Sequence, residues 1–256
     1  MKLISAEILD NTQIADGIFS MTALAPQAAK TAHAGQFAMI YMDKGELLLP
    51  RPISICDACD KNIRFVYQVV GAGTQAMSKM QIGTNVKILA PLGKGFFTTP
   101  DTARTPLKKV ALIGGGIGTP PLLLLAKTLK VQGAHVDVYL GFRQYPILEN
   151  DFNAIADSVH IATEFGNTGH RGYILEVLEK ANTSYDEIMA CGPRPMLNAL
   201  ADYAHSKNIP CQISTEERMA CGLGTCVGCV LMVNGSNVRI CTEGPVFYSD
   251  EVTKHE

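Results

Sequence analysis

The sequence has no tryptophan, few charged residues and no long run of either basic or apolar residues. Because Lys and Arg are scattered and the formal net charge is −2, the chain has no electrostatic basis for binding nucleic acid or an acidic membrane surface. The densest apolar run, Leu122–Ala126, is far too short to span a bilayer. The residues before Glu7 do not form the apolar segment of a secretory signal. We therefore expect a cytoplasmic protein that binds neither nucleic acid nor a membrane.

The first hundred residues contain many short strand patterns that are punctuated by Gly and Pro. The strand candidates are Lys2–Leu9, Ile18–Leu24, Phe37–Met42, Ile63–Val70 and Val86–Ala90. Many short strands at this spacing predict an antiparallel barrel.

After the barrel region, strand and helix patterns alternate. Strands are predicted at Val110–Ile113, Val136–Gly141, Val159–Thr163 and Glu187–Ala190, and helices at Thr119–Gln132, Tyr173–Ala181 and Pro195–Ser206. This alternation predicts a doubly wound parallel sheet. We expect an α+β multidomain chain with a barrel over residues 1–101, an α/β domain over 102–213 and a small C-terminal domain over 214–256.

Four of the eight cysteines lie close together near the end of the chain. Cys221, Cys226, Cys229 and Cys241 form C-x4-C-x2-C followed by a distant fourth cysteine, which is the plant-ferredoxin spacing for a [2Fe–2S] cluster. The interleaved glycines permit the tight backbone that three converging thiolates require. A zinc site is the main alternative, although structural zinc usually has two C-x2-C pairs. We therefore predict that these four cysteines hold a [2Fe–2S] cluster.

Three short segments have the chemistry of phosphate binding. The Gly-rich turn of residues 113–121 follows a strand and opens a helix, so its backbone can approach a pyrophosphate. Gly71–Thr74 opens a second, shorter helix, and Arg51–Ser54 supplies a guanidinium and a hydroxyl. Taken alone, Gly71–Thr74 is more typical of an ordinary capped turn and Arg51 of a solvated surface residue, and a Gly-rich turn is a weak signal. The three segments together therefore carry the prediction.

In this order, the segments resemble the ferredoxin–NAD(P) reductase superfamily, whose motifs R-x-x-S, G-x-x-T/S and C-G-P are similar to Arg51–Ser54, Gly71–Thr74 and Cys191–Pro193. The stretches RPISI, VVGAGT, LIGGGIGTPPLL, ACGPRPM and ERMACGLGTCVGC resemble more closely the electron transfer subunits of dihydroorotate dehydrogenase B. The resemblance covers essentially the whole chain. It implies that the barrel binds FAD, the α/β domain binds NAD(H) and the C-terminal domain binds the cluster.

The resemblance also implies which residues contact the cofactors. The predicted FAD contacts are Arg51, Pro52, Ile53, Ser54, Val66, Tyr67, Gln68, Gly73 and Thr74, with Ser54 near the flavin N5. The predicted nicotinamide nucleotide contacts are Gly114, Gly115, Gly116, Gly118, Thr119, Cys191, Gly192 and Pro193. Ser54 and Cys191 are the candidate catalytic residues. For Cys191 a buried small residue beside the nicotinamide is the favoured interpretation, because nothing nearby would obviously activate its thiolate. Two departures from relatives, at Gln68 and Phe165, leave individual phosphate and nucleotide contacts open.

By the same resemblance, the partner is an FMN-containing catalytic subunit that oxidises dihydroorotate to orotate for pyrimidine biosynthesis, in a heterotetramer of two plus two subunits. Hydride would pass between NAD(H) and the flavin N5, and single electrons would pass through the cluster. Two other functions stay open at this point: the NAD(P)H-linked subunit of a ferredoxin:NADP or sulfide reductase complex, and a redox sensor without enzymatic activity. Arg143 leaves the choice between NAD and NADP open, and Cys56 and Cys59 form a C-x2-C pair without an assigned role.

Overall fold

The computed structural model describes residues 2–42, 48–98 and 106–253. The strands are β1 Lys2–Ala15, β2 Ile18–Leu24, β3 Phe37–Tyr41, β4 Arg51–Cys59, β5 Asn62–Gln68, β6 Asn85–Leu92, β7 Lys109–Gly115, β8 His135–Phe142, β9 Ser158–Thr163, β10 His170–Arg171, β11 Glu187–Cys191, β12 Cys211–Ser214, β13 Val230–Val233, β14 Ser236–Arg239 and β15 Val246–Tyr248. The helices are α1 Pro26–Thr31, α2 Ala72–Met77, α3 Pro121–Val131, α4 Glu149–Asn153, α5 Ile174–Ala181, α6 Arg194–Ser206 and α7 Ile240–Glu243.

Six antiparallel strands close into a barrel in the order β1-β2-β5-β4-β3-β6. Side chains alternate between the interior and the surface, so that Ala6 and Ile8 of β1 are fully buried while Glu7 is exposed. Closure leaves no unpaired strand edge, which is how a small antiparallel sheet avoids edge-to-edge association. The predicted barrel is confirmed.

Seven strands form a second sheet in the order β10-β9-β8-β7-β11-β12-β15. The strands from β10 to β12 are parallel, and β15 joins the edge antiparallel to β12. From β7 the chain runs outward to β8 and β9 and then returns to β11 on the other side. The switch point therefore lies between β7 and β11, where open α/β sheets bind their ligands at the carboxyl ends of the strands. The predicted doubly wound sheet is confirmed.

A buried polar network lies at the amino-terminal end of β8. Asp137 accepts hydrogen bonds from the hydroxyls of Ser158 (2.6 Å) and Tyr185 (3.0 Å), and the Tyr185 oxygen lies 2.8 Å from that of Tyr139. Burial alone would raise the pKa of Asp137, but these hydrogen bonds and the Lys109 ammonium 3.6 Å away outweigh it and lower the pKa from its ordinary value. The carboxylate therefore stays ionised and ties the strands together.

The C-terminal segment divides between two compact units. Residues 216–231 and 237–245 belong with the barrel, and residues 232–236 and 246 onward belong with the α/β sheet. The predicted boundaries of the three domains stay predictions, and the one between residues 101 and 102 lies outside the described residues. Within the described ranges, no helix is long and apolar enough to cross a membrane.

Candidate cofactor sites

The four cysteines of the predicted cluster site come together in the structure. Cys221 lies beside Cys226, and Cys241 lies beside both Cys229 and Cys221. A [2Fe–2S] cluster takes four thiolates in the C-x4-C-x2-C spacing that this chain has, whereas structural zinc usually has two C-x2-C pairs. The four thiols therefore fit the binuclear cluster.

Glycines give the cysteine loop its shape. Gly222 and Gly224 have φ values of +68° and +78°, a region that favours glycine. A Cβ on Gly222 would lie 2.5 Å from Met39 Cγ of the barrel, and one on Gly224 would lie 2.9 Å from Thr242 Cγ2. Both positions therefore exclude a side chain, and the loop packs closely on β3 and α7.

The thiols of this loop differ in their electrostatic surroundings. Burial raises the pKa of Cys221, but hydrogen bonds from the Thr225 hydroxyl and from the amides of Leu223 and Cys226 outweigh it and lower the pKa to about 6. Burial and the neighbouring thiol raise the pKa of Cys241 to about 12. Cys221 therefore favours the thiolate, which is the form that binds iron.

Arg51 lies across the start of α2 at the predicted FAD site. One guanidinium nitrogen, Nη2, donates to the carbonyl of Leu49 (3.1 Å), whereas Nε is buried and has no hydrogen-bond partner. A Cβ on Gly73 would lie 2.1 Å from this Nε, so only glycine leaves room for the arginine there. A buried N–H of a charged group without a partner is costly, and a phosphate oxygen would satisfy it. These residues therefore fit the pyrophosphate of FAD.

Thr74 organises the loop before α2 rather than pointing a free hydroxyl outward. Its Oγ1 accepts hydrogen bonds from the amides of Val70 (2.9 Å) and Gly71 (3.3 Å) and donates to the Gly71 carbonyl (3.2 Å). The hydroxyl is thus occupied, and the contribution of Thr74 to a phosphate would come from its backbone amide.

The remaining predicted FAD contacts lie on adjacent strands of the barrel. On β4, Pro52, Ile53 and Ser54 are half-buried; on β5, Val66 and Tyr67 are buried and Gln68 is exposed. The two strands are neighbours in the barrel order, so these side chains belong to one region of its wall.

Asn11 supports this region although no pattern in the sequence identified it. The Tyr67 hydroxyl donates to Asn11 Oδ1 (3.0 Å), and Asn11 Nδ2 donates to the carbonyls of Met77 (2.9 Å) and Met80 (3.0 Å) at the end of α2. Tyr67 and Asn11 therefore hold α2, and with it the Gly71–Thr74 loop, against the barrel. Only the folded topology reveals this role, because Asn11 is 66 residues away from Met77.

The loops after β7 and β11 touch each other at the predicted nucleotide site. A Cβ on Gly115 would lie 2.6 Å from Met196 Sδ, and one on Gly118 would lie 2.5 Å from the Gly192 Cα. Gly116 has a φ of +52° and open space around it. The glycines thus let two backbone turns meet closely while one remains accessible, which suits an approach to a pyrophosphate.

Thr119 is fully buried in the turn, and its Oγ1 has no hydrogen-bond partner. A Cβ on Gly114 would lie 2.9 Å from this oxygen. The predicted helix over Thr119–Gln132 begins later than expected: Thr119 ends a 3₁₀ turn over Gly116–Gly118, and α3 begins at Pro121. A nucleotide oxygen or hydroxyl would supply the partner that Thr119 lacks.

β11 ends at Cys191 beside this turn, and Gly192 and Pro193 follow it. Cys191 is 1% exposed and pairs with Gly114 in the strand register, while Pro193 precedes the first turn of α6. The structure therefore brings the predicted contacts of β7 and β11 together at the switch point of the sheet.

The structure also locates Arg143 and the Cys56–Cys59 pair, whose roles the sequence left open. The Arg143 guanidinium lies over the Phe165 ring (6.0 Å to the centroid), at the ends of β8 and β9. Cys56 and Cys59 lie on the same strand, three residues apart, with Cys56 buried and Cys59 exposed. An extended strand separates such Cα atoms by about 10 Å, too far for a disulfide.

Comparison with known proteins agrees with this geometry. Residues 216–253 match the family model of the iron–sulfur cluster binding domain of dihydroorotate dehydrogenase B. The electron transfer subunit of dihydroorotate dehydrogenase B (NAD(+)) from Caldanaerobacter subterraneus is 38% identical over 96% of this chain and 97% of its own length. The corresponding subunit from Clostridium perfringens is 37% identical over 98% of both chains.

Solved structures show the same fold. A structure of the NADH-dependent reduced ferredoxin–NADP oxidoreductase, described in work on flavin-based electron bifurcation, has a TM-score of 0.86 and 28% identity, and covers 97% of this chain and 89% of that chain. A ferredoxin reductase of carbazole 1,9a-dioxygenase has a TM-score of 0.66 at 21% identity, covering 82% of this chain and 67% of its own. The resemblance read from the sequence motifs is confirmed.

Proposed function

Since the chain belongs to the family of electron transfer subunits of dihydroorotate dehydrogenase B, we propose that it carries electrons between a catalytic partner subunit and NAD+ through a [2Fe–2S] cluster and FAD. The observation that carries the proposal is the convergence of four cysteines at a glycine-shaped loop, in the segment that matches the iron–sulfur domain family. FAD supplies the link, because it exchanges two electrons with a nicotinamide and one at a time with a cluster.

On the FAD side, we assign Arg51 and the Gly73–Thr74 backbone to the pyrophosphate and Ser54 to the vicinity of the flavin N5. Support comes from the unpaired Arg51 Nε and from the close approach of that side chain to Gly73. Arg51 neutralises phosphate charge and fixes the position of the cofactor. The half-buried residues that follow it on β4 exclude water from one side of the site.

On the nucleotide side, we assign the Gly114–Gly118 turn and Thr119 to the pyrophosphate and its ribose. We assign Cys191 to the nicotinamide end, where it would contact the ring and set its position. No residue of the chain needs to move a proton in a hydride transfer, so these groups act by binding and orientation. We propose NAD(H) as the nucleotide.

We propose that the partner is an FMN-containing catalytic subunit that oxidises dihydroorotate to orotate, in a cytoplasmic complex of two plus two subunits. Leu223, Thr225 and Val227 are exposed around Cys226, whereas Cys229 and Cys241 are buried. Electrons therefore have their shortest route to another protein through the Cys226 side of the loop. We assign this surface to the catalytic subunit.

The two other functions considered from the sequence are not favoured. Curated relatives named as electron transfer subunits of dihydroorotate dehydrogenase B are 36–38% identical to this chain, against 28% for the reduced ferredoxin–NADP oxidoreductase structure. A sensor that bound neither FAD nor NAD(H) would leave Arg51 Nε and Thr119 Oγ1 buried without a hydrogen-bond partner, which is costly.

The proposal is tested by purifying the chain without oxygen and measuring iron, zinc and flavin content and the visible spectrum before and after NADH. We expect two irons and one FAD per chain, with the flavin absorbance bleached by NADH. Cys226→Ser is the matched variant, and it should lose iron while retaining FAD and its reduction by NADH. Zinc in place of iron, or a chain that binds no flavin, would contradict the proposal. Addition of the catalytic subunit should then couple dihydroorotate oxidation to NAD+ reduction.

A further inference from the structure

Arg239 makes a direct contact with the cysteine loop that the assigned function does not explain. It is the last residue of β14, and its Nη1 donates to the carbonyl oxygen of Gly224 (3.1 Å). The amide of the same glycine donates to the Cys241 thiol. One residue of the loop thus connects the guanidinium to a cluster ligand.

Glu243 lies on the other side of this guanidinium. Its Oε2 accepts from the Arg239 amide (2.5 Å) and lies 3.4 Å from Nε. The two side chains are 44% and 39% exposed, and Lys94 is a further positive charge near Glu243. The positive charge of Arg239 therefore contacts the loop, and the negative charge of Glu243 partly compensates it.

We propose that Arg239 is a positioning residue that raises the reduction potential of the cluster, and that Glu243 limits this effect. The inference rests on the proposed cluster. Reduction adds one negative charge to a cluster, so a nearby fixed positive charge stabilises the reduced form. Arg239 also holds Gly224 in the conformation from which its amide reaches the Cys241 sulfur.

The direction in which the reduction potential shifts distinguishes an electrostatic role of Arg239 from a purely structural one. Removing the positive charge in Arg239→Gln should disfavour the reduced cluster, whereas removing the negative charge in Glu243→Gln should favour it. Arg239→Lys retains the charge and should keep the potential close to that of the wild type. A purely structural role would shift both neutral variants in the same direction or leave both unchanged.

The experiment is a redox titration of the purified holoprotein without oxygen, followed by the electron paramagnetic resonance signal of the reduced cluster. Because both side chains are more than one-third exposed, solvent screens their charges and we expect effects of about threefold. At a fixed ambient potential, the ratio of reduced to oxidised cluster should fall about threefold in Arg239→Gln, or about 28 mV for a one-electron couple. It should rise by a similar factor in Glu243→Gln, and both shifts should shrink at high salt.

Iron content distinguishes the possible failures. If the wild-type chain holds no iron, the proposed function fails. If the wild type and all variants hold two irons, two results overturn the inference about Arg239 while the proposed function stands. Either the potentials of Arg239→Gln and Glu243→Gln equal that of the wild type, or both shift in the same direction. Loss of iron in Arg239→Lys as well as in Arg239→Gln would also overturn it, because the residue would then only support the loop.

Discussion

Replacing Gly73 by alanine should weaken FAD binding by displacing Arg51. The added Cβ would lie 2.1 Å from Arg51 Nε and 2.8 Å from both Cδ and Cζ, distances at which the arginine must move. The Gly73 backbone itself needs no unusual conformation, since α2 runs through this position. The substitution therefore acts on the arginine and leaves the helix intact.

The size of the effect follows from the interaction that is lost. A hydrogen bond to a charged group contributes about 1.5–3 kcal/mol. Loss of about 2 kcal/mol weakens binding about 30-fold. The assay is titration of the flavin-free protein with FAD, followed by flavin fluorescence. Circular dichroism of the flavin-free variant checks that the barrel remains folded.

A double-mutant cycle tests the mechanism. If Gly73→Ala acts only through Arg51, it should change FAD affinity little in an Arg51→Ala background, so the two effects should be strongly non-additive. Wild-type affinity in Gly73→Ala, or full additivity in the double variant, would refute the reasoning. The second outcome would mean that the methyl group blocks FAD directly.

Three further predictions concern the other sites. Thr119→Val should raise the free energy of unfolding of the nucleotide-free protein by about 1 kcal/mol, because the unpaired hydroxyl is removed, and should weaken NADH binding about fivefold; denaturant unfolding and NADH titration measure the two. Asp137→Asn should flatten the pH dependence of the free energy of unfolding below pH 3.8. The carboxyl has a lower pKa in the folded than in the unfolded state, so its contribution to stability is present above the unfolded pKa and is lost as the pH falls through the folded pKa. A steeper pH dependence in the variant would contradict this. Thr225→Arg should slow reduction by the catalytic subunit and spare NADH:dye activity, with Thr225→Val as the control that removes the hydroxyl hydrogen-bonded to Cys221 without adding charge or length; equal loss of both activities would be evidence against the assigned surface.

The sequence predicts the fold well wherever local pattern and burial agree. β2 was predicted with its observed bounds, and four other barrel strands were predicted within a few residues at one end or both. β4 was missed, because Arg51–Cys59 contains Pro52 and a bulge between Ile55 and Asp57, so its apolar residues do not alternate. Its strand character comes from its neighbours β3 and β5 and is not visible locally.

The site residues likewise divide into those that a local sequence pattern identifies and those that only the folded structure reveals. The cysteine spacing and the glycine turns are local patterns, and the structure brings each set together. Asn11 and Arg239 could not be predicted, since each acts through polar contacts on a segment at least 15 residues away. Such contacts depend on topology, and one sequence alone carries no signal for them.

The two unpaired buried atoms differ in a way that suits the cofactors proposed for them. Among the described residues, the buried side-chain polar atoms without a partner are Arg51 Nε and Thr119 Oγ1. An unpaired charged group costs more than an unpaired neutral hydroxyl. FAD stays bound through every turnover, so the charged group at its site need never lack a partner. NAD(H) must leave after each hydride transfer, and a neutral hydroxyl limits the cost of the empty state. The proposed assignment, with the charged donor at FAD and the neutral hydroxyl at NAD(H), is therefore the one that costs less when the nucleotide site is empty.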